Sequence, residues 1–141
     1  MMPAYQHNIK PRSLVIEDDP LLQMIHHNLL NKMGFDVVVV GDAKSAMEKW
    51  DEHWDLFFSD IGLPGMDGNE LCRKRREFEK HAGLSRTPSF AYSAFGSIIK
   101  DECLDAGFDA FGEKPMDNFD LFVLLQKLLP QFQLVSLKSL T

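Results

Sequence analysis

The sequence lacks several features that would assign it to a common class of protein. It has only 2 cysteines in 141 residues and no CxxC spacing, which argues against a disulfide scaffold or a zinc site. No apolar run approaches the roughly 20 residues of a membrane span, and Met1 to Pro11 contains no apolar run of signal-peptide length. Acidic residues (21) outnumber lysine plus arginine (15), and the net charge of −6 argues against direct nucleic-acid binding. We therefore expect a single cytoplasmic domain.

Short apolar segments alternate with amphipathic ones along the chain. The predicted strands cover Leu14–Ile16, Val37–Val40, Asp55–Ser59, Ser89–Tyr92 and Ala110–Gly112. The predicted helices cover Pro20–Met33, Ala43–Glu52, Asn69–His81, Ser97–Ala106 and Asn118–Leu129. This alternation predicts an α/β domain with a doubly wound, five-stranded parallel sheet between two helical layers. Residues 1–12 are interpreted as a flexible leader, 13–130 as the domain and 131–141 as a C-terminal tail.

Polar residues end or follow the predicted strands. The first strand is followed by Glu17 and Asp18, the third by Asp60, the fourth by Ser93, and the fifth is followed by Lys114 two residues on. In parallel α/β sheets, ligands bind outside the carboxyl ends of the strands. Clustered carboxylates need a cation, and Mg²⁺ prefers such hard oxygen ligands. A carboxylate beside this metal is a competent nucleophile toward phosphorus, and Asp60 is placed for that role.

Four segments carry a resemblance to a known family. VIEDDPLL, DLFFSDIGLPGMDGNEL, FAYSA and GFDAFGEKP occur in this order. Together they resemble the receiver domain of two-component response regulators, over about Ser13 to Leu129. The resemblance implies a flavodoxin-like sheet of order 2-1-3-4-5 and an aspartate that takes a phosphoryl group from a phosphohistidine. It therefore implies a histidine kinase or a histidine phosphotransfer domain as partner.

The resemblance also assigns roles to individual residues. Asp60 matches the phosphoacceptor, and Glu17 and Asp18 match the acidic pair that holds Mg²⁺. The carbonyl of Gly62 matches a further metal ligand. Ser93 matches the hydroxyl residue that contacts the phosphoryl group, and Lys114 matches its salt-bridge partner. The peptide before Pro115 is often cis in this family. Phe111 matches the aromatic switch position, whose ring turns inward when the hydroxyl residue moves.

The chain departs from the usual family pattern at two of these positions. Glu17 stands where aspartate is commoner, and its extra methylene leaves open whether it reaches the metal directly or through water. Phe111 lacks the hydroxyl of the frequent tyrosine, so its outward rotamer has no polar contact. A third feature is the stretch RREFEKHAGLSRTP. It is slightly long for a stand-alone regulator and resembles receivers fused to hybrid histidine kinases.

Two smaller hypotheses concern apolar residues near the strand ends. Phe95 lies two residues past Ser93, where its bulk would shield an acyl phosphate from water and lengthen its lifetime. Leu21 and Met24 lie off the predicted apolar face of the first helix, which consists of Leu22, Ile25, Leu29 and Met33. They would form a docking patch for the helices of a phosphohistidine partner.

The expected function is that of a signalling module. Its chemistry would be limited to its own phosphorylation and hydrolysis, and phosphorylation would change the face built from the fourth helix, fifth strand and fifth helix, a possible homodimer surface. Two alternatives remain open. One is a receiver that has lost phosphorylation and acts as a binding module. The other is an aspartyl-phosphate phosphatase, although that class has a second aspartate two residues after the nucleophile, where this chain has Gly62.

Overall fold

A five-stranded parallel sheet with helices on both faces forms the domain. The computed structural model describes residues 10–136. The strands are β1 Arg12–Ile16, β2 Asp36–Val40, β3 Leu56–Asp60, β4 Ser89–Ser93 and β5 Ala110–Glu113. The helices are α1 Pro20–Met33, α2 Ala43–Met47, α3 Gly68–Ala82, α4 Lys100–Ala106 and α5 Asn118–Leu128. The strand order is β2-β1-β3-β4-β5 and all pairs are parallel, which confirms the predicted fold.

The sheet separates two buried layers because successive strand residues point to opposite faces. Val15 packs into a cluster with residues of α1 and α5, including Leu30 and Leu121. Its neighbours Leu14 and Ile16 pack on the other face, in a cluster that includes residues of α2 and α3. Each layer buries the apolar faces of its helices against the sheet. Polar side chains lie instead at the carboxyl edge of the sheet, which the helices leave open.

Most helices begin at an aspartate or end at a glycine that caps the backbone. Four aspartates accept backbone N–H bonds at helix N-termini, which satisfies donors that no helical carbonyl reaches: these caps are Asp19, Asp42, Asp67 and Asp117. Three helices end at glycines with positive φ, a conformation that other residues adopt only with strain: Gly34, Gly83 and Gly107. These caps fix where α1, α2, α3 and α5 begin and where α1, α3 and α4 end.

The predicted second helix is too long. The structure ends α2 at Met47, and the chain continues in turns through residue 51 rather than to Glu52 as a helix. Lys49 N donates to Ala46 O at 3.0 Å, and the buried Trp54 donates its indole N–H to Lys49 O at 2.8 Å. These bonds replace helical hydrogen bonds, because burying Trp54 requires the chain to turn early.

The buried face of α1 also differs from the prediction. His26, Leu30 and Met33 are buried, whereas Ile25 is 43% exposed. The N-terminal part of the helix is therefore rotated relative to the expected apolar face. The first residue of α1 that points into the core is His26, whereas the prediction placed the aliphatic Leu22 and Ile25 there.

Other boundaries shift by a few residues. β1 begins at Arg12, β3 ends at Asp60 rather than Ser59, and a 3₁₀ turn, Ser97–Ile99, precedes α4. Residues 1–9 of the predicted leader and 137–141 of the predicted tail lie outside the described residues.

The described part of the predicted tail packs against the domain. Leu134 is 6% exposed within the α1 and α5 cluster, and Val135 N donates to Met33 O at 2.8 Å. The side chain of Gln126 accepts from Leu134 N at 3.0 Å and donates to Phe132 O at 2.8 Å. This segment lacks regular secondary structure, and its backbone groups are satisfied by a side chain of α5.

Candidate functional site

The carboxyl ends of four strands bring the predicted site residues to one edge of the sheet. Glu17 follows β1, Asp60 and Ser93 end β3 and β4, and Lys114 follows β5. The register aligns these ends, since Ile16 pairs with Ser59, Asp60 with Tyr92, and Ser93 with Glu113. Residues 97 positions apart, such as Glu17 and Lys114, therefore come into contact.

Three carboxylates form the acidic part of the site. Glu17, Asp18 and Asp60 each offer an oxygen, and these oxygens lie within 4.8 Å of one another. Glu17 is 1% exposed, Asp60 is half-buried and Asp18 is exposed. This set of hard oxygen ligands, open to solvent on the Asp18 side, fits a magnesium ion that keeps several waters.

Lys114 connects two of these carboxylates. Its Nζ lies 3.1 Å from Glu17 Oε1 and 3.6 Å from Asp60 Oδ1. The backbone holds the lysine in place, because Lys114 N donates to Ser93 O at 2.8 Å. The Lys114–Pro115 peptide is cis, as the resemblance suggested. The ammonium group therefore partly offsets the repulsion within the acidic cluster.

Burial dominates the electrostatics of Glu17. Desolvation raises the pKa of Glu17, and the nearby charge of Asp60 raises it further. The Asp19 amide, which donates to Oε2 at 3.2 Å, and the Lys114 ammonium group both act in the opposite direction. Additional positive charge in the cluster would favour the ionised form of Glu17, as expected of a metal ligand.

The two oxygens of Asp60 have different surroundings. Oδ1 accepts from Ile61 N at 2.8 Å and from Gly62 N at 3.4 Å, and it is the oxygen nearest Lys114. Within residues 10–136, no hydrogen bond reaches Oδ2. Gly62 therefore borders the carboxylate through its backbone, and Oδ2 is the oxygen without a hydrogen-bond donor in this part of the chain.

Ser93 and Phe111 lie beyond the acidic cluster. Ser93 is fully buried, and its Oγ accepts from Phe95 N at 2.9 Å. Phe111 is half-buried on β5 and packs against the cluster that contains Ala91, Cys103 and Phe108. The structure thus places Ser93 at the end of β4 and the Phe111 ring on the face of the sheet that α4 covers.

The two predicted docking residues are exposed on α1. Leu21 is 59% exposed and Met24 is 56% exposed. The adjacent Ile25 extends this apolar surface, and it was not among the predicted docking residues. Because α1 begins just after Glu17 and Asp18, the surface adjoins the acidic cluster.

Sequence reasoning missed two aromatic residues behind the site. His26 is 4% exposed, and its Nδ1 lies 3.8 Å from Glu17 Oε1. Burial lowers the pKa of His26 to about 4, the Lys114 charge lowers it too, and Asp60 opposes them, so the ring is neutral near pH 7. Tyr92 lies beside both, with its ring centroid 5.5 Å from the His26 centroid and from Lys114 Nζ. The four-residue spacing from His26 to Leu30 was the available signal.

Comparison with known proteins identifies the family. Residues 13–126 match the family described as response regulator receiver domain. The chain belongs to this family. It is 34% identical over 119 residues to the hybrid signal transduction histidine kinase M of Dictyostelium discoideum, covering 82% of this chain but 5% of that kinase. It is 30% identical to the two-component response regulator 24 of Arabidopsis thaliana, covering 84% of each chain.

A solved receiver domain extends the comparison to the site. The receiver domain of the sensor histidine kinase PA1611 of Pseudomonas aeruginosa PAO1 has 26% identity and a TM-score of 0.76. The match covers 86% of this chain and 99% of that one, and that structure has a magnesium ion coordinated in its active site cleft. In the described part of the present receiver, no helix is long and apolar enough to cross a bilayer.

Proposed function

We propose that this receiver accepts a phosphoryl group on Asp60 from a phosphohistidine donor. The observation that carries the proposal is the asymmetry of the Asp60 carboxylate: backbone amides donate to Oδ1, the oxygen nearest Lys114, while no described residue donates a hydrogen bond to Oδ2. An anchored carboxylate with one unengaged oxygen is oriented for nucleophilic attack. The adjoining oxygens of Glu17 and Asp18 fit a divalent cation.

The transfer forms one bond and breaks one. Asp60 Oδ2 attacks phosphorus in line with the P–N bond, and the electron pair of that bond returns to the donor imidazole. Bound Mg²⁺ would supply positive charge to the phosphoryl oxygens, with Glu17, Asp18, Asp60 and the Gly62 carbonyl as its protein ligands. Lys114 is 3.6 Å from Asp60 Oδ1, close enough to turn toward a phosphoryl oxygen.

Ser93 and Phe111 would change position when Asp60 is phosphorylated. The Ser93 Oγ accepts from Phe95 N, and its own O–H can donate to a phosphoryl oxygen. Drawing Ser93 toward Asp60 would move the 94–99 loop with it, and Phe111 could then turn inward. The face of α4, β5 and α5 would change as a result, and a partner or a second copy would read that change.

The partner would be a histidine kinase or a histidine phosphotransfer domain. Support comes from the relatives, which include a hybrid histidine kinase and a two-component response regulator. Helices of such a partner would pack on Leu21 and Met24, whose exposed apolar surface adjoins the acidic cluster. We further propose a cytoplasmic location and no enzymatic activity beyond the domain's own phosphorylation and dephosphorylation.

The proposal is tested by intact mass after incubation with phosphoramidate and Mg²⁺. The expected result is one added phosphoryl group that hydroxylamine removes, absent without Mg²⁺ and absent from Asp60→Asn. Asp101→Asn, at an exposed aspartate of α4, is the matched control and should be phosphorylated like the wild type. A phosphohistidine phosphotransfer domain is the second donor.

The other outcomes separate the alternative functions. No adduct from either donor, in a folded protein that binds Mg²⁺, would favour a phosphorylation-independent binding module. Steady release of phosphate from small phosphate monoesters, lost in Asp60→Asn, would favour a phosphatase. An adduct retained by Asp60→Asn would contradict the assignment of the acceptor.

A further inference from the structure

A buried histidine next to the site has a nitrogen without a partner. His26 packs its ring against Phe58 and Tyr92, with centroid distances of 5.1 and 5.5 Å. Its Nδ1 is buried and has no hydrogen-bond partner among the described residues. Leaving a buried polar atom unpaired destabilises the folded state, because the atom loses its hydrogen bonds to water and gains none in return. A histidine kept at such a position therefore calls for a role that an aliphatic residue could not fill.

A carboxylate oxygen of a proposed metal ligand lies close to this nitrogen. His26 Nδ1 lies 3.8 Å from Glu17 Oε1, the oxygen that also takes the Lys114 ammonium at 3.1 Å. The other oxygen, Oε2, accepts from Asp19 N at 3.2 Å. The separation from His26 exceeds a hydrogen bond by less than 1 Å. A small rotation of the Glu17 side chain would close it.

The rotation of the Glu17 side chain toward His26 would become favourable when Lys114 moves away. Lys114 contacts both Glu17 and Asp60, and the proposed transfer requires it to turn toward the phosphoryl group. Oε1 of Glu17 then loses its closest donor while Glu17 stays buried. Among the described residues, His26 Nδ1 is the unpartnered buried nitrogen next to that oxygen, and it is a donor when it carries the ring proton.

We propose that His26 is a positioning residue that donates from Nδ1–H to Glu17 Oε1. It holds this carboxylate in the metal-binding orientation when Lys114 leaves it, as partners of metal ligands commonly do. This inference rests on the proposed function, because it assumes that Glu17 holds Mg²⁺ and that Lys114 serves the phosphoryl group. It assigns the neutral Nδ1–H tautomer to His26.

The test uses two substitutions and a direct observation of the ring. His26→Asn keeps an N–H donor near the position of Nδ1, whereas His26→Leu keeps bulk and removes the donor. The Kd for Mg²⁺ is measured by ¹H–¹⁵N NMR titration, without any phosphodonor, in a Lys114→Ala background, where the lysine no longer occupies Glu17 Oε1. In that background His26→Leu should raise the Kd about three- to tenfold, the worth of one hydrogen bond, and His26→Asn should stay within about twofold of Lys114→Ala alone. ¹⁵N spectra of the wild-type ring should show the proton on Nδ1.

A double-mutant cycle separates this role from simple packing. Glu17→Asp withdraws the carboxylate by one methylene, so His26→Leu should not weaken Mg²⁺ binding further in that background. An equal penalty in both backgrounds, an unchanged Kd in His26→Leu, or a proton on Nε2 would each overturn the proposal. Failure of Asp60 to be phosphorylated, with the cycle intact, would instead reject the proposed function alone. If His26→Leu does not fold, His26→Asn and the tautomer decide.

Discussion

The ring of Phe95 lies over Gly62. A Cβ atom placed on Gly62 would come within 3.1 Å of Phe95 Cε2 and 3.3 Å of Cζ, closer than nearly all Cβ contacts in proteins. The ring thus occupies space left by the missing side chain, next to the proposed acceptor Asp60. Phe95 is nevertheless 61% exposed, so it forms a cover at the surface rather than part of the core.

Replacing Phe95 should shorten the life of the phosphorylated protein. Phe95→Glu removes the apolar cover and admits water to the acyl phosphate, so we expect a several-fold shorter half-life by intact-mass decay. Ile98→Glu, at a site 87% exposed, introduces the same charge and should leave the half-life unchanged. Equal half-lives for Phe95→Glu and the wild type would reject the shielding role.

Charging the exposed face of α1 should block transfer from a protein donor. Leu21→Asp with Met24→Asp places carboxylates on the proposed docking surface, and we expect the transfer rate from a phosphohistidine domain to fall about tenfold or more. Phosphorylation by phosphoramidate should persist, since neither residue belongs to the acidic cluster. Leu84→Asp, at a residue 46% exposed after α3, is the control. Unchanged transfer in the double variant would remove the patch from the partner interface.

Glu79 should make stability depend on acidity. Burial raises its pKa, but the Thr87 amide and the Arg76 and Arg75 side chains outweigh burial, and the pKa of Glu79 is lowered below its usual 4.5. A lowered carboxyl pKa contributes stability above the unfolded-state value, and this contribution disappears as pH falls through the folded-state value. Urea unfolding should therefore show a steep loss of stability below about pH 4.5.

Substitution isolates this contribution. Glu79→Gln leaves the buried Arg75 without its carboxylate, which should cost about 3 kcal/mol at pH 7, and should flatten the acid-side decline. Glu77→Gln, at an exposed residue of the same helix, should change neither the free energy of unfolding nor its pH dependence. An acid-side decline that persists unchanged in Glu79→Gln would mean that other carboxylates cause it.

The backbone around Gly68 leaves no room for a side chain at this position. A Cβ there would lie 2.5 Å from Asp60 O and 2.9 Å from Ile61 Cα, so the backbone at the start of α3 would have to move. We expect Gly68→Ala to lower the free energy of unfolding by about 1 to 3 kcal/mol, and to slow phosphorylation by displacing Asp60. Gly41→Ala, whose Cβ would come no closer than 3.4 Å to Gln23 Nε2, should change neither. Normal stability and labelling of Gly68→Ala would contradict this account.

The sheet and the polar residues at its carboxyl edge were predictable from the sequence, because both depend on short local patterns of residues. The strands are short apolar runs, β-branched in β1 and β2 and aromatic in β3 and β4. The residues that end them, such as Asp60 and Ser93, meet at one edge of a parallel sheet. The early end of α2 was not predictable in this way, because it depends on Trp54 donating to the Lys49 carbonyl. The role of His26 was hidden likewise, since its contacts with Phe58 and Glu17 exist only after α1 packs.

The packing of residues 130–136 bears on how the molecule can be handled. Val135 N donates a hydrogen bond to Met33 O in the last turn of α1, and β1 begins at Arg12. Both described ends of the chain therefore lie at the amino edge of the sheet. The acidic cluster lies at the opposite pole. A biotin or a sensor-chip linker attached at residue 10 or residue 136 would therefore lie at the pole opposite Asp60, the side that a partner in flow has to reach.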